Sequence, residues 1–162
     1  MRRLPLTLIA AALLILAGLA GLVRGSGPPA AASAGAESQD PIVVSGAYVR
    51  QPADGVNAAA YFTIYNTTDT PDQLTAVASG AGGQTSLHTD SMQHSAELSI
   101  PAHGSVTLSP GKGHVMIEKL YGPLTASQSV NFQLTFAKSG QLLLTAPVIA
   151  VTTPAPTAAA PR

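Results

Sequence analysis

In the stretch GKGHVMIEKL, residues 111–120, an imidazole and a thioether stand two positions apart. Residues i and i+2 of a strand point to one face, so His114 and Met116 project side by side, their Cα atoms about 7 Å apart. Methionine is scarce: beyond the first residue there are only Met92 and Met116. Met92 lies in TSLHTDSMQHSAEL, residues 85–98, four positions after His88 and two before His94. Thioether sulfur is soft and uncharged, and imidazole is intermediate. A His/Met set without thiolate or carboxylate suits Cu(I) far better than Zn²⁺, Ca²⁺ or Mg²⁺. Neutral ligands leave the cation's charge uncompensated, and a site at a solvent edge releases its ion readily. Such a site fits delivery more than storage or catalysis.

The ordinary reading of each residue is plainer. A methionine in a strand usually fills a gap in the core, and a histidine in a loop is usually solvated. Two features weigh against this. Each of the two methionines has a histidine within four positions. If Met116 were core filler, His114 would share its buried face and would need a polar partner there. His88 and Met92 set a condition of their own: an extended chain would hold them about 13 Å apart, so they meet only if the intervening residues turn back. Thr89, Asp90 and Ser91 are turn-forming types.

The elements that must position these residues read as strands. Apolar, β-branched or aromatic runs occur at 42–49, 59–66, 73–79, 85–88, 105–109, 114–120, 130–137 and 141–150. Most are bounded by turn chemistry such as Pro52, Gly82-Gly83, Pro110-Gly111, Gly122-Pro123 and Ser139-Gly140. In VNFQLTF, Val130, Phe132, Leu134 and Phe136 alternate with Asn131, Gln133 and Thr135, the signature of a half-buried antiparallel strand. By the same alternation Val115 and Ile117 face the core. No amphipathic helix competes, and there is no internal repeat. Seven or eight such strands predict an all-β, two-sheet sandwich with Greek-key links.

Outside this core, from about Asp40 to Val151, the chain changes character. Met1-Arg2-Arg3 is a basic head, Leu4–Val23 carries no charge, and Arg24 closes the run. That is an export signal, and its twenty residues also reach bilayer-spanning length. Residues 1–24 therefore read as a signal peptide, cleaved after a site such as Ala32-Ser33-Ala34 or Ala34-Gly35-Ala36, or as a retained membrane anchor with its positive head inside. Both place the rest outside the cytoplasm. Residues 25–39 read as a flexible linker and 152–162 as a disordered Pro/Ala tail.

From Glu37 onward there are five basic and eight acidic residues, a net charge of −3, so nothing offers a footprint for nucleic acid. The chain has no cysteine. It therefore has no disulfide, no catalytic or redox thiolate, no Cys-type metal site, and no thiol for a thioether-linked lipid. Nor does it read as an enzyme. There is no Gly-x-Ser-x-Gly elbow, and SPGKG lacks the pattern and strand-to-helix setting of a phosphate loop. Asp69 and Asp72 read as part of a polar turn beside Pro71. Asn66-Thr67-Thr68 fits a glycosylation sequon, a frequent chance match.

The order Met92, twenty-one residues, His114, one residue, Met116 resembles the closing part of the motif of the PCu(A)C family of periplasmic copper chaperones. AYVRQPADGVNAAAYFTIYN, LTAVAS, SLH, IPAHGSVTLSPGKGHVMI and QLTF follow in that family's order, so the likeness covers about residues 42 to 149. It implies a cupredoxin-like Greek-key β-sandwich after the N-terminal hydrophobic segment. It also implies Cu(I) binding outside the cytoplasm and delivery to the copper centres of cytochrome c oxidase, directly or through another copper chaperone. Carried over by position, Met92, His114 and Met116 match the motif, and His88 matches its first histidine by strand-end context. The family's loop between these first two ligands is longer; here only three residues intervene. His94 is therefore an additional candidate. Two other readings stay open: an exported adhesion or scaffold β-sandwich without metal, and a copper-sequestering tolerance protein.

Overall fold

Alternation governs the folded chain as it does the sequence. The computed structural model describes residues 40–89 and 93–162. The expected leader helix, the whole linker 25–39 and Met92 lie outside the described residues. Ten strands follow in order: β1 Ile42–Arg50, β2 Ala58–Asn66, β3 Asp72–Ser79, β4 Gly82–Thr89, β5 Gln93–Ser95, β6 Leu98–Ile100, β7 Ser105–Leu108, β8 His114–Leu120, β9 Ser129–Phe136 and β10 Gly140–Ile149. Among the described residues there is no helix. β9 buries Val130, Phe132, Leu134 and Phe136, and β8 buries Val115 and Ile117, as the period of two requires. Two short strands, β5 and β6, are additions to the expected set.

One sheet runs β5-β4-β8-β2-β1, and the other runs β10-β9-β3-β6. Their inner faces share one core, with Phe62, Ile64, Leu74, Ile100 and Phe132 among its most buried side chains. β7 and β8 take successive halves of the same edge of β2. Phe62 to Tyr65 pair with β7, and Ala58 to Ala60 pair with β8. The sheets join at a parallel seam where Val49 meets Val148 and Arg50 meets Ile149. At the opposite seam Thr85 Oγ1 on β4 donates to the Val77 carbonyl on β3. The body is thereby barrel-like.

A bulge in β1 decides which of its side chains face outward. The register with β2 shifts between Ser45 and Tyr48, where Gly46 has φ +64°. A bulge adds one residue and re-aims the side chains beyond it. Ile42 faces the core before it, and Val49 does so after it. Tyr48 and Arg50 are thus turned to the outer face. The chain beyond β10 runs back to β1. The Arg50 guanidinium donates to the carbonyls of Ala150 and Thr153 at 2.8 and 2.6 Å, and Ala159 N donates to Ser45 Oγ at 2.7 Å. A Cβ on Gly46 would lie 2.9 Å from the Ala158 Cα, so the small residue at the bulge is what admits this segment.

Candidate metal centre

Residues on adjacent antiparallel strands that stand directly opposite share a face. Three such pairings assemble the site. His88 on β4 pairs with His114 on β8, His88 also pairs with His94 on β5, and Ser86 pairs with Met116. Next to β8, Ala59 of β2 pairs with Met116, and Tyr48 of β1 pairs with Tyr61. The outer face therefore carries one transverse row of rings, His94–His88–His114–Tyr61–Tyr48. Successive centroids lie 6.0, 4.9, 6.2 and 5.1 Å apart. Arg50 closes the row with its guanidinium 5.2 Å from the Tyr48 ring centre. Met116, partly buried, lies one step along β8 on the same face.

The Gly-Lys-Gly turn before His114 also has a physical reason. Gly113 has φ +150°, and a Cβ there would lie 2.8 Å from the His88 carbonyl oxygen and 3.1 Å from Leu108 Cδ2. Only glycine lets β4 come this close to the start of β8, where the two histidines meet.

β4 and β5 form a tight hairpin in which Thr89 pairs with Gln93, so the chain does turn back between His88 and His94. Met92 lies outside the described residues, within the three that join these strands. His94 is exposed and stands edge-on to His88, their planes at 83°. His103 stands apart from the row, exposed at the turn before β7, with its Nε2 2.6 Å from Asp69 Oδ1.

His88 and His114 stack with planes only 5° apart. In-plane lone pairs of parallel rings do not converge, so one ion shared by both requires one ring to turn. His114 is 8% exposed and has no hydrogen-bond partner among the described residues. None of its nitrogens is both buried and unsatisfied, so they reach solvent. His88 is tied: its Nε2 lies 3.1 Å from Ser86 Oγ, and Ser86 Oγ donates to Glu118 Oε1 at 2.6 Å. Burial, with a further contribution from the charge on His88, holds the His114 imidazole below its ordinary pKa of 6.5. The neutral, lone-pair-bearing form therefore persists to lower pH than in a free histidine. In the metal-free protein, ring-proton NMR will show His114 titrating below 6.5. The unfolded chain binds this proton first as pH falls, so the group's contribution to stability is present above the ordinary value and is lost below it.

Ser86 and Glu118 are absent from the sequence reading, although the same-face rule reaches both: Ser86 is two before His88, and Glu118 is two after Met116. The sequon, by contrast, is closed to modification. Asn66 is 2% exposed. Its amide donates to the Thr70 carbonyl at 2.8 Å, while its oxygen accepts from Thr68 N and Oγ1 at 3.0 and 2.8 Å.

Among the described residues, no three His, Cys, Asp or Glu side chains form a metal-holding group. The donors that share this face among the described residues are the imidazoles of His88, His94 and His114 and the thioether of Met116, neutral types that suit a soft monovalent ion better than Zn²⁺ or Ca²⁺.

Comparison with known proteins agrees. A family model described as "Putative lipoprotein LpqE-like" matches residues 42–148. The chain is 30% identical over 155 residues to "Putative lipoprotein Lxx21020" of Leifsonia xyli, covering 91% of this chain and 90% of that one. Among solved structures, the apo PCuAC domain from PmoF1 aligns with TM-score 0.63 and 31% identity over 68% of this chain and 94% of its own. The copper-bound PCuAC domain from PmoF2 gives 0.63 and 25% over 68% and 93%. The Cu(I) form of DR1885 from Deinococcus radiodurans gives 0.59 and 32% over 74% and 85%.

Proposed function

The chain belongs to the LpqE-like family and carries a PCu(A)C-type domain, and from that premise we propose that it is an extracytoplasmic copper chaperone. Cu(I) is its cargo, held by His88, Met92, His114 and Met116, with His94 as an additional ligand. The observation that carries this reading is the meeting of His88, His114 and Met116 on one outer face. Two of the similar solved domains hold copper. Met92 enters this set on the sequence: it immediately precedes Gln93, which pairs with Thr89 one step beyond the pair of His88 and His94.

Binding turns His114 out of its stack on His88, and the soft, uncharged donors let the ion leave again. The acceptor is a copper centre of cytochrome c oxidase or another copper chaperone. The lipoprotein descriptions of the family and of its Leifsonia relative favour a place in the cell envelope. This chain has no cysteine, so the apolar run Leu4–Val23 supplies either membrane attachment or the export signal.

Titration of the reduced protein with Cu(I) against a competing chelator tests the assignment. The expected result is one Cu(I) per chain, with Met92→Leu weakening it by at least about tenfold, or roughly 1.4 kcal/mol. No Cu(I) uptake by the wild-type chain would favour the metal-free scaffold reading. Uptake unaffected at both methionines, with preference for Cu(II), would favour sequestration through His88 and His94.

A further inference from the structure

The Cu(I) reading leaves an electrostatic question open, since none of the four ligands carries a negative charge. Among the described residues, the Glu118 carboxylate on the ligand face is connected to a ligand. Glu118 Oε1 accepts from Ser86 Oγ at 2.6 Å, and Ser86 Oγ lies 3.1 Å from His88 Nε2. A serine hydroxyl has one proton to give, and here it goes to the carboxylate. The Ser86 oxygen is then an acceptor, and His88 Nε2 must carry the hydrogen. In a neutral imidazole this puts the lone pair on Nδ1. The residues lie where the sheet dictates: Ser86 opposite Met116, and Glu118 opposite Gln84, one step further along β8 on the same face.

We propose that Ser86 and Glu118 are positioning residues for copper. They fix the orientation and tautomer of His88, and through them Glu118 supplies the counter-charge that the neutral donors lack. This rests on the Cu(I) reading and deepens it. Metal-binding histidines characteristically give their second ring N–H to a carboxylate or another acceptor, and loss of such a partner costs about 10- to 100-fold in metal affinity. Here the carboxylate acts through an intervening hydroxyl. His88, anchored at Nε2, keeps its place, whereas His114, which has no hydrogen bond among the described residues, turns to share the ion.

The test is Cu(I) competition titration of the full chain and of Ser86→Ala, Ser86→Thr, Glu118→Gln and Glu118→Asp, with Met116→Leu as the ligand control. ¹⁵N NMR of the metal-free proteins reports the His88 tautomer. The expected result is an Nε2–H tautomer in the wild type, mixed in Ser86→Ala. Cu(I) affinity falls about tenfold or more in Ser86→Ala and Glu118→Gln and is restored towards wild type in Ser86→Thr and Glu118→Asp. Wild-type affinity, or tighter binding, in both Ser86→Ala and Glu118→Gln would overturn the relay while Met116→Leu still lost copper, leaving the Cu(I) site standing. An Nδ1–H tautomer in the wild type would also overturn it. Failure of the wild-type chain to take up Cu(I) would instead remove the reading on which the relay rests.

Discussion

The expected result of Met116→Leu is loss of high-affinity Cu(I) binding with the fold left intact. Leucine matches methionine closely in volume, and such swaps cost under about 1.5 kcal/mol even in cores. Met116 is only partly buried on the outer face, with Val115 and Ile117 beside it making the core contacts. Thermal unfolding therefore changes little. Copper affinity should fall by about 100-fold or more, beyond the 10- to 100-fold that outer partners alone supply. The reason is that Met116 is the one thioether among the described residues on the histidine face. Competition titration and circular dichroism on the same samples give both numbers. Unchanged affinity would show that Met116 is packing, and the soft-metal assignment would fail with it.

Asp72→Ala has the opposite profile: copper binding at neutral pH survives, but stability drops. Asp72 is 3% exposed at the start of β3. Its Oδ1 accepts from the backbone N–H of Gln73 and Lys138 at 2.7 and 2.9 Å, and its Oδ2 accepts from Ser139 N and Oγ at 2.9 and 2.6 Å. One carboxylate thus clamps the β9–β10 turn to β3. Removing it leaves several donors unsatisfied, at a cost of about 3 kcal/mol. That corresponds to a fall in Tm on the order of 10 °C. Asp72→Asn is also destabilising, because its NH₂ must face an N–H or O–H donor. Burial by itself would raise the Asp72 pKa, but the hydrogen bonds from Ser139, Gln73 and Lys138 outweigh it and hold the carboxyl below 3.8. The clamp is fully present above the ordinary carboxylate value and weakens as pH falls through the lowered one. Acid unfolding of the wild type will show this loss, and the Asp72→Ala curve will be flatter there. Equal acid sensitivity in the two proteins would contradict it.

What was legible in the sequence follows a physical divide. Local alternation carried β8 and β9 to within a residue, and the i, i+2 rule put His114 and Met116 on one face and Val115 and Ile117 on the other. β5 and β6 have three residues each, too few to show any period, and form because β4 and β3 offer them edges. Pairing between distant strands is not written locally. That His88 would face His114 depends on the register of β4 on β8, and that Tyr48 would join the row depends on the bulge at Gly46. Asp72 reads as one more polar turn residue because its partners, Lys138 and Ser139, lie far along the chain. Ser86 and Glu118 look ordinary until the sheet places them beside His88.

The seam between Val49 and Val148 has a kinetic meaning. The first strand of the domain completes its hydrogen bonding only with the last, and contacts so distant in sequence form slowly. A chain synthesised amino-end first cannot close this body until β10 has followed. The row of rings on β5, β4, β8, β2 and β1 is therefore carried on a body that closes only when its last strand arrives.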